Sequence, residues 1–595
     1  MRHLASLAIL LAALATPVQA QEKREEQRAP FTDLRVEGDG VLIRVDSTWY
    51  RWLELDEIPV TRILDAAHDV DATRWEKRIA EDLTSVLFSI DYEHADTVTL
   101  EVAPVEGGDP RTLRDVPMTW DKRETTRKER HWREYEADFE AYGARTALIE
   151  LAGVITEHHA YAHLKGLDVD SLVMHELDRL GDDATGRETI LGAQRMVCRL
   201  GDGHAGISWF TDAAPAGGLD FLIRQARGGF VAFRRDVGTG RGEPLVEDFP
   251  FIVSMDGVPI EDWIDGASAY VTDGSGALVR HRSAELLAHV NLVRDELGLE
   301  HRRSVALRLR DEQGRTAELS VPVAAHGAYD TIRPAIDKEA ASRGYETRRL
   351  ADGVAYVRLV RMVGEDETPA LRTAVEALSD ASVMIIDVRA NAGGSRAPIL
   401  ALLPFFIDEP RVVNVAARLE PRTAPRPAHG WLADRHAYPI DWPGWTDAER
   451  ASLERTMADF EPKWTPPGDR FSDWNAMVVS RNEDDPRFEG PVVILMDEGC
   501  FSATDIFLGA FKGVDGVTLV GSPSSGGSAR SESHDLDALQ RDVRLATMAS
   551  YRADGRLYDT RGIQPDVLIE PTVDDLLGRT DSRLDAALDL LRSDE

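Results

Sequence analysis

Hydrophobic positions along this chain change period several times, and each change marks a different kind of element. Short β-branched and aromatic runs at 34–36, 41–45 and 49–53 read as strands; a helical run over 75–87 and a strand over 97–102 complete a small β-rich α+β unit predicted for 21–125. From 126 to 215 the period becomes helical, with Leu148, Leu151, Val154 and Ile155 on one face and Ile190, Ala193 and Met196 on another. Over 216–330 the pattern is strand, Asp256-Gly257 turn and strand, then a helix across 284–297, then a hairpin around Glu312-Gln313-Gly314. From Gly353 onward strands (354–360, 383–388, 492–496, 517–520) alternate with helices (369–378, 398–406, 503–512). That rhythm predicts an α/β fold with a mainly parallel, layered core over 340–575. One insertion interrupts it: 418–490 is proline-rich and carries Trp431, Trp442, Trp445, Trp464 and Trp474. A long insertion between two core strands predicts a lid or flap, with an embellishment packed on the core as the alternative.

Composition narrows the class. At 595 residues the chain has room for about four domains, and 43% hydrophobic with 29% charged residues is a globular balance. The net charge of −35 repels phosphate backbones, so no nucleic-acid partner is expected. The first twenty residues differ from the rest: Arg2 and His3, an apolar run over 4–15, then small residues at Val18 and Ala20. This is the pattern of a secretory signal cleaved after Ala20, which makes the mature protein exported, periplasmic or extracellular. No later stretch approaches eighteen apolar residues, so no membrane insertion is expected. The only cysteines are Cys198 and Cys500, too few for a disulfide scaffold or a cysteine zinc site; a bridge and two buried thiols both fit the count. His159 and His163 have i, i+4 spacing, but Ala160 stands where an HExxH metal site needs glutamate, so they read as helix-surface histidines.

Three segments place polar groups at the ends of predicted strands, where α/β sheets display their sites. In the first, an apolar strand runs through Asp387, Arg389 and Asn391 into Gly393-Gly394, just before a helix, so backbone N–H groups can point into open space as an oxyanion hole requires. In the second, Ser502 sits at a strand-to-helix junction beside the free N–H of Ala503; with Asp505 three residues on, it also fits a helix N-cap pair. The third is a turn containing Asp559, Gly562 and Pro565-Asp566 ahead of a last strand, which an Asx turn would also explain.

Together these segments resemble the tail-specific (C-terminal-processing) peptidase family in its broad sense, including tricorn-like members. The likeness rests on Asp387-Val388-Arg389-Ala390-Asn391-Ala392-Gly393-Gly394, Ser502-Ala503-Thr504-Asp505 and Gly562-Ile563-Gln564-Pro565-Asp566, in the family's order. It implies a crotonase-like ββα core, a PDZ-like module at 216–330, and no metal or organic cofactor. One branch of the family uses a Ser-Lys dyad, but the lysine position here is Gly527, and Lys512 lies ten residues along the helix from Ser502, about 15 Å away. The other branch uses histidine, and Leu200-Gly201-Asp202-Gly203-His204 resembles its base-bearing segment. The resemblance therefore implies Ser502 as nucleophile, His204 as base, Asp559 as the acid orienting it, and N–H groups of Gly393, Gly394 and Ala503 as the oxyanion hole. Departures are Gly203 where the tricorn type has serine, and Asp559 where it has glutamate, shortening the orienter by one methylene. A site joining His204 to Ser502 would also draw Cys198 and Cys500 together, and His534 stands as a substitute base.

The expected function is that of an exported serine endopeptidase acting on peptides or unfolded proteins through an acyl-enzyme. Two alternatives stand beside it. One is a catalytically inactive peptide- or ligand-binding protein on the same scaffold, with Ser502 capping its helix. The other is a crotonase-like acyl-transfer enzyme, which the secretory signal disfavours by removing the chain from coenzyme A.

Overall fold

The computed structural model describes residues 27–593, apart from 39, 47, 237–238, 325–326, 328–337, 351–352 and 421–429. The signal segment 1–20 lies outside the described residues. The chain divides into two compact units, Met1–Ala141 and Tyr142–Glu595.

In the first unit the expected strands form an antiparallel sheet ordered Asp33–Glu37, Gly40–Val45, Thr48–Leu55, Thr97–Pro104, Arg111–Pro117. Phe31, Ile43, Trp52, Leu55, Ile63 and Leu100 fill its core. The helix expected over 75–87 breaks at Asp82 into Trp75–Glu81 and Leu83–Phe88. The expected boundary at 125 falls inside the helix Trp120–Phe139, which is capped by the Thr119 side chain and belongs to this unit. Polar ties hold it there: Thr126 Oγ1 donates to the Phe31 carbonyl (3.1 Å) and Arg133 pairs with the buried Asp33 (2.6 Å).

In the second unit the layered core carries a six-stranded sheet ordered Tyr345–Arg349, Ala355–Leu359, Met384–Asp387, Val492–Met496, Val517–Gly521, Val567–Leu568. Only the first pair is antiparallel. The inner strands are mostly apolar because both faces are covered, whereas the edge strand Tyr345–Arg349 is polar. Met384, Ile386, Val492, Ile494 and Met496 face the helices Ala397–Leu402 and Ala503–Phe511, while Ile385, Val493, Leu495 and Val520 face Ala587 and Leu591 of Ser582–Ser593. That last helix extends the core beyond the expected limit at 575. Parallel strands end on one edge, so the loops after Asp387, Met496 and Gly521 converge there.

The region 216–330 holds a seven-stranded antiparallel sheet in which Phe251–Met255 and Ser304–Arg310 are neighbours. The helix expected at 284–297 is two helices, Gly276–Leu286 and Val290–Glu296. The insertion does not behave as the expected lid in its described part. Its strand Asn475–Val479 pairs with Arg411–Arg418, which in turn pairs with Met548–Tyr551, and Trp445 is buried among Val412, Val415, Leu453 and Ala476. Tyr438 stacks on Trp442 and both meet Trp445 edge to face, as Phe460, Trp474 and Tyr551 meet one another. These aromatics wall a structural sheet.

Candidate active site

Ser502 joins the strand Val492–Met496 to the helix Ala503–Phe511 with φ +61° and ψ −120°, a conformation that costs an L-residue of order 1–3 kcal/mol. The strain aims its hydroxyl outward, and Ser502 Oγ lies 3.1 Å from His204 Nε2. The capping alternative fails on geometry: the Ser502 side chain makes no cap hydrogen bond. Nor does Asp505 turn back to it. Its carboxylate instead accepts from Ser524 Oγ (2.5 Å) and the N–H groups of Gly526 and Gly527 (both 3.0 Å), anchoring the turn that follows Gly521. Burial pushes Asp505 up to about 8.

The glycine loop sits directly against this turn. A Cβ on Gly393 would lie 2.7 Å from Ser502 Cβ and 3.1 Å from the Ala503 nitrogen, and the φ of Gly393 is +105°. Asn391 fixes the approach: its Oδ1 accepts from the Gly393 N–H and the Thr504 hydroxyl (2.9 Å each), and its carbonyl accepts from the Phe501 N–H (3.1 Å). The expected Gly393 donor is thus already engaged by the Asn391 side chain. Ala503, as the first residue of its helix, has no intrahelical acceptor for its N–H. Gly394 bridges Met362 through its neighbours' peptide groups, Met362 N–H to the Gly393 carbonyl and Ser395 N–H to the Met362 carbonyl, which leaves its own N–H outside the bridge. Among the described residues the N–H groups of Gly394 and Ala503 therefore have no acceptor.

His204 follows the helix Gly186–Cys198 and precedes the short strand Gly206–Ile207, which pairs with Arg541–Ala546. Its backbone N–H donates to Asp202 Oδ1 (2.9 Å). Asp202 is fully buried, and its Oδ2 accepts from His159 Nε2 (3.2 Å) and the Ala546 N–H (2.8 Å). Burial opposes its charge, but the His159 bond and the two imidazoles hold it below the usual carboxylate range. Burial pushes His204 down to about 4 against the pull of Asp202, so the imidazole is unprotonated at neutral pH.

Asp559 stands close by without yet touching the imidazole. Asp202, His204 and Asp559 each bring one ligand-type atom within 4.8 Å of the others, a spacing at which a cation could also be held. Asp559 Oδ2 accepts from Tyr161 OH (2.6 Å) and Ser528 N–H (3.3 Å). Asp559 Oδ1 and His204 Nδ1 are buried with no hydrogen-bond partner among the described residues. Two neighbouring side chains thus each keep one unsatisfied polar atom. Burial and the charge of Asp202 push Asp559 up to about 7.

Phe501 closes the remaining side. Its ring packs on His204 (4.4 Å between centroids) under the Arg282 guanidinium (4.8 Å), and a Cβ on Gly203 or Gly527 would meet that ring at 3.0 and 2.4 Å. The space a dyad lysine would need is filled. Lys512 is turned away onto Asp566 (2.5 Å), and His534 stacks on His158 (4.1 Å), so neither substitutes for His204. A cavity of about 510 Å³ bordered by Phe501, Ala392, Glu498 and Arg282 opens beside the turn.

Other expectations are corrected. Cys198 and Cys500 are both free and buried: Cys198 Sγ accepts from Gln194 (3.1 Å) and Cys500 Sγ donates to the Val388 carbonyl (3.1 Å). Burial pushes the Cys198 thiol up to about 12. His159 and His163 do not share a helix face, because the helix Gly143–His158 ends and Ala160–Lys165 begins at His159, which is buried. Sequence reasoning missed Asp202, Tyr161, His159 and Phe501 as site residues; only Asp202 carried a signal, inside the base-bearing motif.

Residues 353–569 match the family model described as peptidase family S41. No curated protein matches the chain. Among solved structures, a CPAF mutant is 16% identical with a TM-score of 0.52, covering 76% of this chain and 97% of that one. Mature CPAF is 15% identical with a TM-score of 0.51 over 75% and 95%, and its complex with lactacystin gives 15% and 0.50 over 75% and 97%. At such identity the likeness is one of fold.

Proposed function

We propose that this chain, whose residues 353–569 belong to peptidase family S41 and make it a serine-type peptidase, is an exported endopeptidase working through Ser502, His204 and Asp559. The observation that carries the reading is the 3.1 Å approach of Ser502 Oγ to an unprotonated imidazole, from a backbone strained to present that hydroxyl. In the proposed cycle His204 Nε2 takes the Ser502 proton as Oγ attacks the peptide carbonyl. The N–H groups of Ala503 and Gly394 receive the developing oxyanion, and removing one such donor costs roughly a hundred- to a thousandfold in rate. His204 then passes the proton to the leaving amine, and water, activated by the same imidazole, releases the acyl group. Asp559 in its ionised form stabilises the imidazolium that exists between these steps. The substrate is a peptide or an unfolded protein, and the sheet module at 216–330 is read as a PDZ-like peptide-binding element. Export to the periplasm or the extracellular space follows from the signal-like segment 1–20.

The test is labelling of the mature protein with a serine-reactive fluorophosphonate, with the adduct located by mass spectrometry. Modification at Ser502 that falls sharply in His204→Ala is expected. Folded protein that neither labels nor cleaves an unfolded protein substrate would return the chain to the binding-scaffold reading.

A further inference from the structure

Both carboxylates beside His204 are held by one short stretch of chain from outside the family-matched region. The helix Gly143–His158 stops at His159, whose Nδ1 accepts the Ala162 N–H (3.0 Å) and so caps the next helix, Ala160–Lys165. With Nδ1 accepting, Nε2 carries the proton and donates it to Asp202 Oδ2. Two residues on, Tyr161 OH donates to Asp559 Oδ2 at 2.6 Å. At the end of the same helix Lys165 Nζ donates to the Gly201 carbonyl (3.0 Å), in the loop that carries His204. His159, Tyr161, Asp202 and Asp559 are all fully buried, so these bonds face no competition from solvent.

We propose that His159 and Tyr161 are positioning residues for the catalytic base, with Tyr161 turning Asp559 so that its free oxygen faces the free nitrogen of His204. The inference rests on the peptidase reading of Ser502 and His204. Three features give Tyr161 this role rather than simple packing. Its hydroxyl takes one oxygen of Asp559 and leaves the other unsatisfied, while Nδ1 of the neighbouring His204 is unsatisfied too. Its own proton stays on, since burial and Asp559 raise it well above the ordinary phenol range. Its bond also favours the charged form of Asp559, opposing burial and Asp202. The charged or titratable groups facing Asp559 are Tyr161, Lys165, Asp202, Asp505 and His204; those facing His204 are Asp202, Arg282, Arg435 and Arg544.

The test compares kcat/KM against pH, and the fluorophosphonate labelling rate, for the wild type, Tyr161→Phe, His159→Gln, His159→Leu and a protein carrying 3-fluorotyrosine at position 161. Tyr161→Phe keeps the ring and loses the donor, so the acid limb moves up by roughly half a pH unit or more and kcat falls with KM unchanged. The more acidic fluorophenol donates more strongly, so its limb moves down without a loss of volume. His159→Gln keeps a donor for Asp202 and retains more activity than His159→Leu. Opposite shifts in the two Tyr161 proteins support the proposal. Unshifted profiles in folded variants overturn it, whether activity is unchanged or uniformly reduced. Should Tyr161→Phe fail to fold, the fluorotyrosine protein decides alone. A wild type that neither labels nor cleaves defeats the peptidase reading itself, and this inference with it.

Discussion

A methyl group on Gly393 would lie 2.7 Å from the Ser502 Cβ, so the glycine loop and the Ser502 turn meet with no room for a side chain. The same methyl would press on the Phe501 carbonyl at 2.8 Å and would have to adopt a φ of +105°. Gly393→Ala is therefore expected to push the loop away from Ser502, taking the Gly394 donor with it. A loss of about a hundredfold in fluorophosphonate labelling is predicted. A variant labelled at the wild-type rate would show that the loop has no part in the chemistry.

The positive φ of Ser502 separates two substitutions that both delete the hydroxyl. Ser502→Ala keeps a Cβ and the strain; Ser502→Gly removes both. Neither should label, but Ser502→Gly should be the more stable by about 1 kcal/mol. Thermal unfolding of the two variants side by side measures the difference, and equal midpoints would mean that the turn stores no strain.

The pH dependence of turnover follows from the two buried groups. His204, held down to about 4, is already unprotonated through the neutral range, whereas Asp559, held up to about 7, gains its charge there. Activity that needs the Asp559 carboxylate must rise with pH through about 7 and fall as the acid is protonated below it. Asp559→Asn should lower the plateau by roughly 10³- to 10⁴-fold and abolish the limb near 7. A limb that survives in Asp559→Asn would assign it to another group.

Restoring the family's alternative base should fail. A Cβ at position 527 would sit 2.4 Å from the Phe501 ring, which itself packs on His204. Gly527→Lys is predicted to lose activity through displacement of Phe501, at a packing cost of about 1–3 kcal/mol. In a His204→Ala background it should restore nothing; recovered labelling there would contradict the geometry.

Both thiols should resist reagents in the native state. Cys198 and Cys500 are buried and unbridged, so iodoacetamide should modify neither until the protein unfolds, and reductant should leave the thermal midpoint unchanged. A mass change on reduction of unfolded protein would reveal a bridge.

The sequence made the layered core legible because strand segments covered on both faces are apolar, as 384–386 and 492–496 are. Ser502 and His204 were legible through motifs whose spacing the fold requires, and the structure brings them together. The tight packing of Gly393 was not, since a glycine in sequence does not say what it touches. Tyr161 gave no signal at all: it reaches Asp559 across 398 positions, and a tyrosine on an apolar helix face looks like core. The tryptophans of the insertion misled for a related reason, because aromatic residues that cover a site and those that fill a sheet interface are compositionally alike.

His204 and Ser502 are 298 positions apart, with Asp559 later still. A chain synthesised from its N-terminus therefore makes its base early and its hydroxyl only when most of the polypeptide exists. No truncated product ending before the last core strands contains a complete centre, and no local refolding of one segment can create it. Under the proposed mechanism a growing chain therefore carries no working centre until these distant stretches have been made and have docked.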